Sequence, residues 1–130
     1  MYLIDSDTLI ALGKGLVSIQ QKMNRVGIPN CVVSEISMAE LYVGAYKSKS
    51  SKEESFLTFL EKLIPTVPIS SAIKKYALLR AQLEALGTRL EDMDLFIAAT
   101  ALVNDYTLVS HNTGHFSRIP GLKLEDWTQE

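Results

Sequence analysis

Residues 2–7 read Tyr-Leu-Ile-Asp-Ser-Asp, and this stretch decides the fold. Tyr2 to Ile4 is a short apolar run that stops at a carboxylate, the pattern of a buried strand with Asp5 at its carboxyl end. Outward from it, Leu16, Ile19, Met23 and Val26 recur at steps of three and four, predicting an amphipathic helix closed by Gly27. Cys31 to Val33, after Pro29, is a second strand, and Met38, Leu41, Tyr42 and Ala45 make the next helical stripe. Phe56, Leu60 and Leu63 make another, and Val67, between two prolines, allows only a short third strand. Ile73, Tyr76, Leu79, Leu83 and Leu86 predict a long helix ended by Gly87, and Met93 to Val103 is apolar nearly all round, as a buried helix would be. Thr107 to Val109 reads as a fourth strand and Leu122 to Leu124 as a fifth. Lys47 to Ser51 reads as an exposed loop. Strands alternating with helices imply right-handed crossovers. The expected fold is α/β: a three-layer α/β/α sandwich with a mainly parallel, about five-stranded sheet, and one domain over residues 1–130.

Composition fits that expectation. The chain has 130 residues, 47% hydrophobic and 22% charged, which excludes disorder as the main state. Its longest apolar stretch, Leu95 to Val103, is far shorter than the ~20 residues of a membrane span. Asp5 interrupts the first apolar run and no basic segment precedes it, so no signal peptide is expected. The one cysteine, Cys31, excludes an internal disulfide and a cysteine-based zinc site, and a cytoplasmic location is expected. Against 13 Lys and Arg stand 15 Asp and Glu. Proteins that coat nucleic acid electrostatically are strongly basic, so contact with nucleic acid is expected only at a local site.

In parallel open sheets ligands bind beyond the carboxyl ends of the strands. The acids gather where that rule puts the chemistry. Asp5 and Asp7 follow the first strand, and Glu40 lies in the first turn of the helix after the second. Glu91, Asp92 and Asp94 start the buried helix, while Ser110 and Asn112 follow the fourth strand. Two unit charges ~4 Å apart repel by about 4 kcal/mol at an effective dielectric near 20. Either some of these acids hold protons or a cation sits among them. An all-oxygen set favours a hard ion, Mg²⁺ or Mn²⁺, able to activate water against a phosphate. Each acid also has a structural reading. Asp5 can accept backbone N–H bonds of the following turn. Ser37 to Glu40 matches the S-x-x-E capping box, though the small neighbours Ser37 and Gly44 leave room for a ligand beside Glu40. Asp92 reads as the N-cap of the buried helix, and Asp94 interrupts an apolar surface inside it. His111 and His115 read as exposed loop histidines, and Trp127 as a packing anchor.

With those residues in view, the chain resembles the PIN-domain family in its VapC-type toxin branch. YLIDSDTLIAL (residues 2–12) resembles that family's strand-one motif, and ISMAELYVGA (36–45) its second, with Glu40 as the motif acid. LRAQLEALGTRLEDMDLFIAATAL (79–102) resembles the third, with Asp94 as its acid, and TLVSHNTGHFSRIPGLKLEDW (107–127) the closing segment. The resemblance implies a PIN-like fold and a ribonuclease dependent on Mg²⁺ or Mn²⁺ that hydrolyses RNA phosphodiesters with metal-activated water. It implies a homodimer held inactive by a small antitoxin. Asp5 and Asp94 would be direct metal ligands, Glu40 would bind the metal directly or through water, and Asn112 would stand in the place of a fourth, less constant acid. Asp7, Ser110 and Ser37 would be supporting residues. The chain departs from the pattern at Ser6-Asp7, at the uncharged Asn112 and at His115, where an acid is common.

Two other functions are compatible with the same residues. Asp5-Ser6-Asp7-Thr8 comes near the D-x-D-x-T motif of haloacid dehalogenase-type phosphatases, but Thr8 is one residue early and Glu40 and Asp94 have no role there. A non-catalytic RNA- or partner-binding module on the same fold is the second alternative, favoured by the neutral Asn112.

Overall fold

The structure is a computed structural model that describes residues 1–129. Five strands form one sheet: β1 (Tyr2–Ile4), β2 (Cys31–Ser34), β3 (Thr66–Val67), β4 (Thr107–Val109) and β5 (Leu124–Glu125). Their order is β3-β2-β1-β4-β5 and every pairing is parallel. Tyr2 lies opposite Cys31 on one side and Thr107 on the other, so β1 is central. From β1 the chain builds outward through β2 and β3, then crosses to the opposite side for β4 and β5. Strand order therefore reverses between β1 and β4, and the crevice beyond their carboxyl ends is where such sheets place a ligand.

The helices are α1 (Ser6–Gly13), α2 (Val17–Val26), α3 (Glu35–Ser48), α4 (Ser51–Leu63), α5 (Ile73–Ala85), α6 (Asp92–Val103) and α7 (Thr113–Phe116). Alternate strand residues feed two cores. Leu3, Val32 and Leu108 face α5, α6 and Phe116, whereas Ile4, Val33 and Val109 face the side holding Leu9, Ile19, Leu41, Leu60 and Trp127. A sheet covered on both faces makes each strand apolar throughout, which is why its strands read as short unbroken runs. In α6, Leu95 and Ile97 to Ala101 are buried, and the buried Thr100 hydroxyl donates to the Phe96 carbonyl at 2.7 Å. Trp127, 1% exposed, packs on Tyr2 with ring centroids 5.4 Å apart and donates Nε1–H to Glu125, as a packing anchor does.

Several local expectations need correction. Helix α3 starts at Glu35 with Ser34 as its cap, its hydroxyl accepting from the Ile36 N–H. Ser37 and Glu40 therefore form no capping box, and Glu40 sits in the second turn. Glu91, not Asp92, has the extended N-cap backbone of α6, with no side-chain cap bond. The Lys47–Ser51 loop shrinks to a left-handed Lys49 and Ser50 between α3 and α4, since Ser50 caps α4 at once. Helix α1 is a separate element with no clear periodicity in its sequence, and β5 lies slightly later than expected. The ends of the long stripe, Ile73 and Leu86, are exposed. No helix among the described residues is long and apolar enough to cross a membrane.

Candidate functional site

Strand β1 ends by delivering Asp5 into the switch-point crevice. Its N–H donates to the Val109 carbonyl at 2.9 Å, which ties it to the end of β4. One carboxylate oxygen accepts from the Ser6 N–H at 2.8 Å, so Asp5 is the N-cap of α1. The other accepts from the Ser110 hydroxyl at 2.8 Å. The structural reading of Asp5 is thus correct, and it uses one hydrogen bond on each carboxylate oxygen. Asp7, two residues on, accepts from the Thr8 hydroxyl (3.1 Å) and from the His111 N–H (3.2 Å). It also lies 3.3 Å from Ser110 Oγ. Ser110 is fully buried, bridges the two aspartates with a single hydroxyl proton, and accepts from the Asn112 N–H at 3.0 Å. Asp7 and Ser110 together clamp the loop after β4 against the start of α1.

From the other side come Glu40 on α3 and Asp94 in the first turn of α6. Both are partly exposed, as solvent-facing members of a cleft would be. Asp94 lies 3.6 Å from Nδ1 of His115 on α7, and the same nitrogen is 2.9 Å from the Asn112 side-chain amide. Asn112 thus reaches the acids through His115. A lone pair on Nδ1 receives the amide hydrogen, whereas a proton on Nδ1 points to Asp94, so the two contacts demand different proton states. Ser37 is buried with a hydroxyl that lacks a partner, and no hydrogen bond joins it to the acids.

The electrostatics show that the acids face one another. Burial, then the charge of Asp7, pushes the Asp5 carboxyl up from 3.8 to about 6, with Asp94 adding to the rise and the Ser110 and Ser6 bonds opposing it. Glu40 is raised by burial and by Asp94, Glu91 and Asp7. Asp94 is raised by burial and by Glu91 and Asp7, against the lowering effect of His115. Each of the three is held above its ordinary range first by burial and then by negative charge from neighbouring elements. No three His, Cys, Asp or Glu side chains among the described residues stand close enough, in these rotamers, to share an ion. The donor chemistry nevertheless fits a hard divalent cation, because oxygen donors dominate and like-charge repulsion is what such an ion relieves.

Glu91, grouped with Asp94 in the sequence but not taken as a site residue, and the contact made by His115 complete the site. Glu91 raises both Glu40 and Asp94 and belongs to the same acidic surface. His115 contacts Asp94 instead of standing free in a loop. Its position in the closing segment, where the resembled family often has an acid, was the signal available.

Comparison with known proteins follows the same outline. A family model described as PIN domain matches residues 2–122. The chain is 32% identical over 133 aligned positions to Ribonuclease VapC2 of Rickettsia felis, covering 98% of both chains. It is 29% identical to the tRNA(fMet)-specific endonuclease VapC of Salmonella typhimurium, covering 97% of both. In three dimensions it is similar to VapBC2 from Rickettsia felis, solved bound to a fragment of promoter DNA. That match has a TM-score of 0.84 and 29% identity, covering 97% of this chain and 98% of that one.

Proposed function

This chain belongs to the PIN-domain family, and we propose that it cleaves RNA at the Asp5–Glu40–Asp94 cluster with the help of Mg²⁺ or Mn²⁺. It is an RNA-cleaving nuclease of the VapC kind, the toxin of a toxin–antitoxin pair. The metal dependence and the residues are our reading. The observation that supports them is that β1, α3 and α6 deliver three carboxylates to the switch point, each raised by burial and by neighbouring acids. Such repulsion stabilises nothing by itself, and a cation bound among the acids would reverse its sign.

Asp5, Asp94 and Glu40 would hold the ion. When bound, it would lower the pKa of a water and offset charge on the phosphate in the transition state. The chain's own residues orient that chemistry. Ser110 and the Ser6 N–H fix Asp5 through one bond to each carboxylate oxygen. Asp7 secures the loop after β4 and is a supporting residue. His115, between Asn112 and Asp94, sets the direction of the Asp94 carboxylate. We take residues 1–130 as one PIN-like domain acting as a homodimer in the cytoplasm, where an antitoxin protein would restrain it. With one relative named for tRNA(fMet), tRNA is the first substrate class to examine. The phosphatase alternative loses its support with the family assignment.

The test is cleavage of a mixed pool of structured RNAs with Mn²⁺, with Mg²⁺ and with EDTA, beside Asp5→Asn. Cutting that needs both metal and Asp5 is the expected result. Metal-independent cutting, or full activity in the variant, would overturn the site. No cutting together with no Mn²⁺ binding by calorimetry would favour the non-catalytic module.

A further inference from the structure

Asp94 projects from the first turn of α6, and that turn has no side-chain N-cap. Something else must define where the helix begins. The side chain two residues earlier shows what. Asp92 turns away from the acidic cleft and accepts a hydrogen bond from the Tyr76 hydroxyl at 2.9 Å, sixteen residues back on α5. The same hydroxyl accepts from Arg80 Nη1 at 3.0 Å, so its single proton is committed to Asp92. Arg80 Nη1 also lies 3.4 Å from Asp92, while its Nε donates to Glu84 at 2.9 Å, one turn along α5. Arg89 closes the group, 3.9 Å from Asp92 and 3.8 Å from Glu84. Beneath the hydroxyl, the Tyr76 ring stacks on Phe96 with centroids 3.8 Å apart and planes 3° from parallel. Helix α6 is therefore gripped on both sides of Asp94, by its carboxylate at 92 and by its ring at 96.

We propose that Tyr76 and Arg80 are positioning residues for the nuclease site, holding the Asp92 carboxylate so that the first turn of α6 presents Asp94 to the cleft. This rests on the reading of Asp94 as a site residue. The geometry favours it over a general stabilising role. Exposed ion pairs contribute little to stability. A hydroxyl aimed at one carboxylate, with an arginine behind it, instead fixes direction, and small misplacements of a ligand-bearing group are costly to catalysis. The arrangement also balances Asp92 with two arginines, so its charge is absorbed by this group.

Tyr76→Phe tests it, because the variant keeps the stack on Phe96 and removes only the hydroxyl. In the Mn²⁺-dependent RNA assay, well below the unfolding temperature, kcat is expected to fall about tenfold with KM within about twofold, and Mn²⁺ affinity by calorimetry to weaken by a similar factor. Asp92→Asn, which still accepts from Tyr76, should retain more activity than Asp92→Ala. In the same proteins, amide exchange at Leu95 and Phe96 should quicken in Tyr76→Phe relative to Ala99 to Ala101. Wild-type activity and Mn²⁺ affinity in Tyr76→Phe with unchanged exchange would overturn the proposal. If Tyr76→Phe exchanges faster but binds Mn²⁺ and cuts normally, the contact is structural only, and the proposal fails. Wild-type protein that neither cuts nor responds to Asp94→Asn would defeat the underlying site instead, and the exchange arm would then show whether the tether exists without it.

Discussion

Asp5→Asn should make this protein more stable while destroying its activity. Asp5 is 6% exposed, and its carboxyl is pushed from 3.8 up to about 6 by burial and by Asp7. That rise corresponds to about 3 kcal/mol of disfavoured ionisation at neutral pH. The folded state binds the Asp5 proton more tightly than the unfolded chain does. Stability from this group is therefore fully present below about pH 4 and is lost as pH rises through about 6. Asparagine is uncharged and escapes that loss. Its side-chain oxygen still accepts from Ser6, and its amide donates to Ser110, whose hydroxyl then turns to Asp7. Exchanging charge-assisted bonds for neutral ones removes ~1 kcal/mol, so a gain of ~1–3 kcal/mol is expected at pH 7. With an unfolding entropy of about 2.1 cal/mol/K per residue, the Tm should rise by ~4–10 °C. Thermal unfolding by circular dichroism in EDTA, at steps from pH 4 to pH 7, measures it. The gap should be small at pH 4 and open fully by pH 7. A variant no more stable than wild type at pH 7, or a gap independent of pH, would refute the claim that Asp5 is held ionised against its surroundings.

Other outcomes follow from the same contacts. Glu40→Gln and Asp94→Asn should each lower the initial rate of Mn²⁺-dependent cleavage by at least ~100-fold with unchanged far-ultraviolet dichroism, and near-normal rates would remove either residue from the site. Ser110→Ala leaves Asp5 and Asp7 without their shared donor and the Asn112 N–H without its acceptor; it should cost ~1–3 kcal/mol in urea unfolding and reduce kcat about tenfold. Trp127→Ala empties the space against Tyr2 and should cost ~3–5 kcal/mol by the same urea titration, with the midpoint shifted and the slope unchanged.

Much of this molecule was legible because a doubly covered parallel sheet writes itself plainly. Its strands are short apolar runs, and the buried residues that follow or end them, Asp5, Ser34 and Ser110, are polar because Asp5 and Ser34 cap the next helix and Ser110 bridges the aspartates. The misreadings came where one local signature serves two registers. Ser37 with Glu40 has the spacing of a capping box, yet Ser34 three residues earlier caps the same helix, and nothing in the local sequence chooses between them. Asp92 has every local qualification of an N-cap, but Tyr76 recruits its carboxylate from another helix, so Glu91 takes the cap position. His115 meets Asp94 across a gap of 21 residues in sequence, through the tertiary fold. These are tertiary choices among locally equivalent options, and a linear reading has no means of ranking them.

The cap role of Asp5 and its proposed role as a ligand are compatible. The cap bond to Ser6 and the bond to Ser110 engage one carboxylate oxygen each and hold the group in place. An N-cap contributes ~1 kcal/mol. The like-charge, buried surroundings of Asp5 cost about 3 kcal/mol when it ionises. The cap alone does not offset that cost, and asparagine would cap as well without it. A cap chosen for stability would be neutral here. An aspartate beside Asp7 and near Asp94 is what the proposed cation site expects, because a bound ion would offset that repulsion. In the proposed site, the hydrogen bonds from Ser6 and Ser110 would favour the charged carboxylate and hold it in place for the ion.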